Sequence, residues 1–183
     1  MAPIASHEGV ARGDCLGVFE REFDYVCVTL RRLGVRPSDI EDLAHEVFLV
    51  MYRRWNVYDP AHAIRAWLFG IAFRVAARHR RKLRRETLQP SPEIEDTAPG
   101  PDQAVAAQQA RAIVAAALQA VPLKRRAVFV MHCIDNVAMR EIASILSIPM
   151  FTAYSRLRKA RKEFEAAVTS IQNGSLQNGA SKR

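Results

Sequence analysis

The chain has 183 residues, 49% of them hydrophobic, and a formal net charge of +8. That length suits one domain or two small ones with real cores, and the cationic excess favours a polyanionic partner. No apolar run is long enough to span a membrane and no N-terminal signal pattern is present, so a cytoplasmic protein without membrane insertion is expected.

Cys15, Cys27 and Cys133 form an odd set without CxxC or zinc-like spacing, which argues against a disulfide framework and a metal centre. His132 and Cys133 are adjacent on a predicted helix and point in different directions, so packing explains them better than metal binding. Residues 1–13 are aperiodic and are expected to be a flexible N-terminus. Residues 14–33 read as a helix, with Leu16, Phe19, Phe23, Val26, Cys27 and Leu30 as its apolar stripe and Gly34 as its stop. Arg36–Pro37 breaks the chain, and Ser38 or Asp39 can cap the next helix.

That helix, 39–54, carries Leu43, Val47 and Met51 on one side, with Phe48 and Tyr52 beside them. Asp39, Asp42 and Glu46 recur at i, i+3, i+7 on another side, flanked by Glu41 and His45. Acids near a helix N-terminus suit the macrodipole, but Glu46 lies beyond the first turn. An acidic stripe of this kind can dock a basic surface. A Mg²⁺-dependent nuclease built on Asp42 and Glu46 is a rival reading, opposed by the lack of a second acidic cluster.

Residues 55–64 (WNVYDPAHAI) form a loop. Trp55 and Trp67 are expected to pack inward, and Tyr58 to be exposed where it could stack an unpaired base. In 65–85, Leu68, Ile71, Ala72 and Val75 fall at i, i+3, i+4, i+7, while Arg74, Arg78, Arg81 and Arg85 line a second face. With no acid anywhere in that stretch, the helix is suited to lie along phosphates.

The stretch from 86 holds Pro90, Pro92, Pro99 and Pro101 and has no apolar period, so 87–103 is a semi-stiff linker between two domains. Helical patterns then resume, first with Ala110, Ile113, Val114, Ala117, Leu118 and Val121, then with Ala127, Val130, Met131 and Ile134. Residues 139–146 and a long helix from 150 are joined by a tight connection, the pattern of a helix-turn-helix. Ala153, Leu157, Ala160, Phe164 and Val168 point inward. Thr152, Ser155, Arg156, Lys159 and Lys162 point outward, where the helix start would meet base edges in a major groove. Residues 170–183 are expected to be a disordered tail.

Taken together, three stretches resemble a bacterial sigma factor of the extracytoplasmic-function class. They are DIEDLAHEVFLVMY at 39–52, RAWLFGIAFRVAARHRR at 65–81, and LQAVPLKRRAVFVMHCIDNVAMREIASILSIPMFTAYSRLRKAR within 117–161. The resemblance implies an all-α protein of two small helical domains, 14–86 and 104–169, joined by the Pro-rich linker. It implies no enzyme activity and no catalytic group, metal or cofactor. Its partners would be core RNA polymerase, promoter DNA and an anti-sigma factor. By position, Asp39, Glu41, Asp42 and Glu46 would meet the polymerase clamp helices. Tyr58 would capture a flipped base of the −10 element, with Arg74, Arg78 and Arg81 on the DNA beside it. Tyr154, Ser155, Arg158 and Lys159 would read the −35 element, with Thr152 and Arg156 nearer its backbone. The sequence departs from the family at Ala138, a capping Ser there, at Ser147 and Phe151, both usually Gly, and at Tyr154, usually Lys or Arg. These departures imply an unusual −35 sequence. A stand-alone helix-turn-helix regulator is the alternative, and it leaves 39–85 without a role.

Overall fold

The computed structural model describes residues 14–60, 62–86 and 103–180 and holds helices and turns, with no strand among them. The expected flexible N-terminus and nearly all of the linker lie outside the described residues.

The first three long helices are α1 (Asp14–Arg32), α2 (Ile40–Arg53) and α3 (Ile64–Glu86), each packed on the other two. α1 buries Cys15, Val18, Val26 and Leu30. Leu16, expected inside, is 65% exposed because the buried stripe runs one position out of phase with it. Gly34 ends α1 at φ +87, in the left-handed region that glycine adopts most easily, and Val35 N–H closes back on the Leu30 carbonyl at 3.1 Å. α2 inserts Leu43, Ala44, Val47, Phe48 and Met51, and Tyr52 faces out. α3 is buried at Leu68, Ile71, Ala72 and Val75, the four positions its periodicity singles out.

The second domain is built on α7 (Met150–Ala180), against which α4 (Gln103–Ala120), α5 (Leu123–Phe129) and α6 (Met139–Ile145) all pack. α5 continues as a π-helical turn, Val130–Ile134, where the Asp135 N–H reaches the Val130 carbonyl. The wider turn shifts the phase of the stripe, so Ile134 is left 37% exposed although Val130 and Met131 are fully buried. Val114 on α4 also faces outward. α7 remains helical past Thr169 to Ala180, where the composition suggested a tail without structure. A long nucleated helix adds one backbone bond for each residue it fixes, which offsets the poor helix formers there.

The two domains touch. α6 lies on α3 and α4 on α1. The Ile145 methyl sits over Gly70, where an added Cβ would come within 2.5 Å of it.

Candidate nucleic-acid interface

The acidic stripe is only partly presented to solvent. Glu41 and Asp42 are exposed. Asp39 does not cap α2 through its side chain. Its carboxylate instead accepts bonds from Arg36 Nε and His79 Nε2 at 2.9 Å and from Ser38 Oγ at 3.0 Å. Desolvation opposes its ionisation, but the bonds from Arg36, His79 and Ser38 together hold the carboxyl below its ordinary value. Glu46 is ion-paired with Arg78 of α3, so one proposed polymerase contact and one proposed DNA contact neutralise each other. Beside the acids runs an apolar groove of about 400 Å³, whose rim includes Leu16, Leu49 and Tyr52. Leu49 and Tyr52 are 56% and 52% exposed, and the core periodicity does not reveal this groove. The available signal was their i, i+3 spacing outside the core stripe.

Tyr58 is half-buried, in place of the expected exposure. Its ring lies 4.9 Å from that of Trp67 and 5.5 Å from that of Trp55, and its hydroxyl donates to the His62 carbonyl at 2.8 Å. Three aromatics collected at the start of α3 bury more apolar surface together than a single ring held in water. Trp55 is buried, in keeping with the expectation for it.

The arginine face of α3 is likewise engaged. Arg74 donates to the Ile145 carbonyl of α6 at 3.2 Å, and desolvation there, followed by repulsion from Arg54, lowers its pKa. Arg81 Nε donates to the Ala77 carbonyl at 3.4 Å. Arg80, Arg84 and Arg85 are exposed along the same helix.

α6, its turn and α7 form the helix-turn-helix. Ile142 and Ala143 are buried against it, and the turn is closed by Ile148 N–H on the Ala143 carbonyl at 2.9 Å. Ala138 starts α6 without a side-chain cap. Asp135 is turned toward the first domain, where it accepts from Tyr25 Oη at 3.0 Å and Arg32 Nη1 at 3.2 Å. Burial raises the Asp135 carboxyl, with Tyr25 and Arg32 pulling the other way. Ser147 holds φ +53 in the turn. On the outer face of α7, Tyr154, Arg158 and Lys159 are exposed, while Thr152, Ser155 and Arg156 are half-exposed. Phe151, Thr152, Ser155, Arg156 and Lys159 line a cleft of about 310 Å³ with Lys124 and Arg125 of α5.

One further residue has no signal in the sequence that marks it. Arg126 is only 2% exposed. Its guanidinium donates to the Val121 carbonyl at 3.0 Å, to the Gln119 carbonyl and Oε1 at 2.6 Å each, and across the domain boundary to the Arg32 carbonyl at 3.4 Å. Burial pushes its pKa down to about 10, with Arg80 adding repulsion. It remains a cation at neutral pH and satisfies carbonyls at the end of α4, where positive charge also suits the helix dipole.

Residues 18–86 match the family model of Sigma-70 region 2, and residues 111–164 that of Sigma-70, region 4. The ECF RNA polymerase sigma factor RpoE of Cereibacter sphaeroides is 31% identical over 138 residues, spanning 72% of this chain and 73% of that protein. The RNA polymerase sigma factor CnrH of Cupriavidus metallidurans is 27% identical over 146 residues, 74% of this chain and 76% of that one. Among solved structures, CnrH in complex with the cytosolic domain of CnrY covers 88% of this chain and 91% of its own, with a TM-score of 0.61 at 21% identity. RpoE in complex with the anti-sigma factor NepR, from Bartonella quintana, covers 85% and 97%, with a TM-score of 0.65 at 16% identity, a likeness of fold. The chain therefore belongs to the extracytoplasmic-function sigma factors, which are not enzymes but transcription initiation factors directing RNA polymerase to promoters.

Proposed function

We propose that this chain works in the cytoplasm through three surfaces used in sequence. Glu41, Asp42 and Glu46, with Leu49 and Tyr52 of the neighbouring groove, bind the clamp helices of core polymerase; Asp39 supports them from behind. Tyr58 and the α3 guanidinium groups of Arg74, Arg78 and Arg81 engage the −10 element and hold it open. Tyr154, Ser155, Arg158 and Lys159 read the −35 element, and Thr152 and Arg156 hold its backbone. Capturing an unstacked base costs a few kcal/mol, so polymerase contacts must supply much of the opening energy. Domains of about 14–86 and 104–169 divide this work.

The observation that carries the reading is the pairing of two cationic helix faces on two family-matched domains, with an acidic face left over for a protein. While α6 lies on α3 the Ile145 carbonyl holds the Arg74 guanidinium, so Arg74 must leave that carbonyl before it meets DNA. The solved relatives are bound to CnrY and to the anti-sigma factor NepR, and a protein of that kind is proposed as the keeper of this chain as well.

Run-off transcription with purified core polymerase, on a library of upstream bacterial DNA, tests the reading. New start sites are expected only when the protein is added. Footprints on duplex DNA without polymerase, and no new start sites with it, would favour the stand-alone regulator.

A further inference from the structure

The start of α7 carries an apolar patch that phosphate binding does not explain. Phe151 is 84% exposed, Tyr154 56% and Met150 40%. Phe151 and Tyr154 are i and i+3 on one helix, so they share a face in its first turn. Large rings held in water at one spot mark a surface that is covered in function. The residues around Phe151 narrow what covers it. Its cleft is lined by Lys124, Arg125, Arg156 and Lys159 and by no acid. Arg125 is tied to Glu163 at 2.6 Å, but Lys124 and Lys159 are exposed. A cationic rim around an apolar centre fits a polyanion with an apolar spot on it, and fits an ordinary apolar protein surface poorly.

Duplex DNA has one such spot. Of the groups in the major groove, only the thymine C5-methyl is apolar. The N-terminal residues of a recognition helix are the ones that reach base edges. We infer that Phe151, with Tyr154 beside it, is a specificity determinant that packs on a thymine methyl of the −35 element. The inference rests on the promoter-reading role given above for α7. Lys124 and Arg156 at the cleft hold the backbone, and the ring selects T over C at one position. Neither A nor G presents a methyl there, so the discrimination needs no hydrogen bond from the phenyl group.

The experiment uses the holoenzyme, core polymerase plus the full chain, on a promoter found by run-off transcription. Each −35 thymine is replaced singly by uracil, which removes the methyl and keeps every hydrogen-bonding atom. At one position uracil is expected to weaken the wild-type complex roughly four-fold, the worth of one buried methyl. With Phe151→Ala, thymine and uracil at that position should bind alike. Phe151→Leu, still apolar, should keep part of the difference. Circular dichroism checks that the exposed substitutions leave the fold intact. No uracil effect at any position would overturn the inference, as would an equal effect in wild type and Phe151→Ala. Weaker assembly of Phe151→Ala with polymerase, independent of the base, would overturn it in favour of a protein contact. In each of these cases initiation by the wild-type holoenzyme continues, whereas failure of the underlying reading would abolish initiation itself.

Discussion

Glu46 of α2 and Arg78 of α3 hold each other across the helix pair. An exposed pair of this type contributes about 0–1 kcal/mol, so the fold does not depend on it. Glu46→Lys should cost less than about 1 kcal/mol in a urea melt and should lower co-purification with core polymerase. The swap Glu46→Lys with Arg78→Glu should restore the melt but not the polymerase binding. Recovery of both would mean that polymerase binding needs the ion pair between the two helices and not the carboxylate at position 46.

Asp39 belongs to the fold more than to the surface. Its folded carboxyl titrates below its unfolded value, so its stabilisation is complete above about pH 4 and is lost as pH falls through the folded value. Thermal melts at successive pH values should fall steeply below pH 4 in the wild type. Asp39→Asn should start about 1 kcal/mol less stable at neutral pH and show a flatter acid limb. Parallel curves would remove Asp39 from the acid response.

Asp135 joins two domains through Tyr25 and Arg32. Asp135→Ala removes both bonds and should loosen α6 from α3. Small-angle scattering should then report a radius of gyration a few ångströms above that of the wild type, against about 16 Å for a compact chain of this length. Freed from the Ile145 carbonyl, Arg74 should also bind a −10 duplex more tightly at low salt. Unchanged dimensions would show that apolar packing alone keeps the domains closed.

Ser147 adopts φ +53, a conformation that costs a residue with a Cβ about 1 kcal/mol or more. Ser147→Gly should raise the melting temperature by roughly 2–4 °C. Its affinity for promoter DNA gives a second reading of the turn, since the connection to α7 would keep the same backbone without strain. A lower melting temperature would mean that the serine side chain makes a compensating contact.

What could be read from the sequence was local. The stripe of Leu68, Ile71, Ala72 and Val75 and the stop at Gly34 follow from helix geometry within a few residues. The helix-turn-helix was legible for the same reason. Long-range partners were not. Tyr25 and Asp135 are separated by 110 positions, and no period links them. Tyr58 was misjudged because a loop aromatic has no phase, and its place among Trp55 and Trp67 depends on how α3 returns over α2. Asp39 looked like a cap and an outward acid because neither His79 nor the turn at Arg36 can be located before the fold exists. Arg126 resembles any surface arginine in a basic run until the end of α4 closes around it.

Gly70 gives the docked domains a further consequence. A glycine inside a helix costs roughly 0.5–1 kcal/mol relative to alanine, so α3 on its own would gain from the substitution. The methyl would press on Ile145, whose branched side chain has little freedom to yield. Gly70→Ala therefore pits the helix against the assembly: α3 becomes harder to melt while the chain opens. Two properties that usually rise and fall together, rigidity of a part and compactness of the whole, are set against each other at one carbon atom. Hydrogen exchange along α3 and scattering of the full chain should move in opposite senses, slower exchange with larger dimensions.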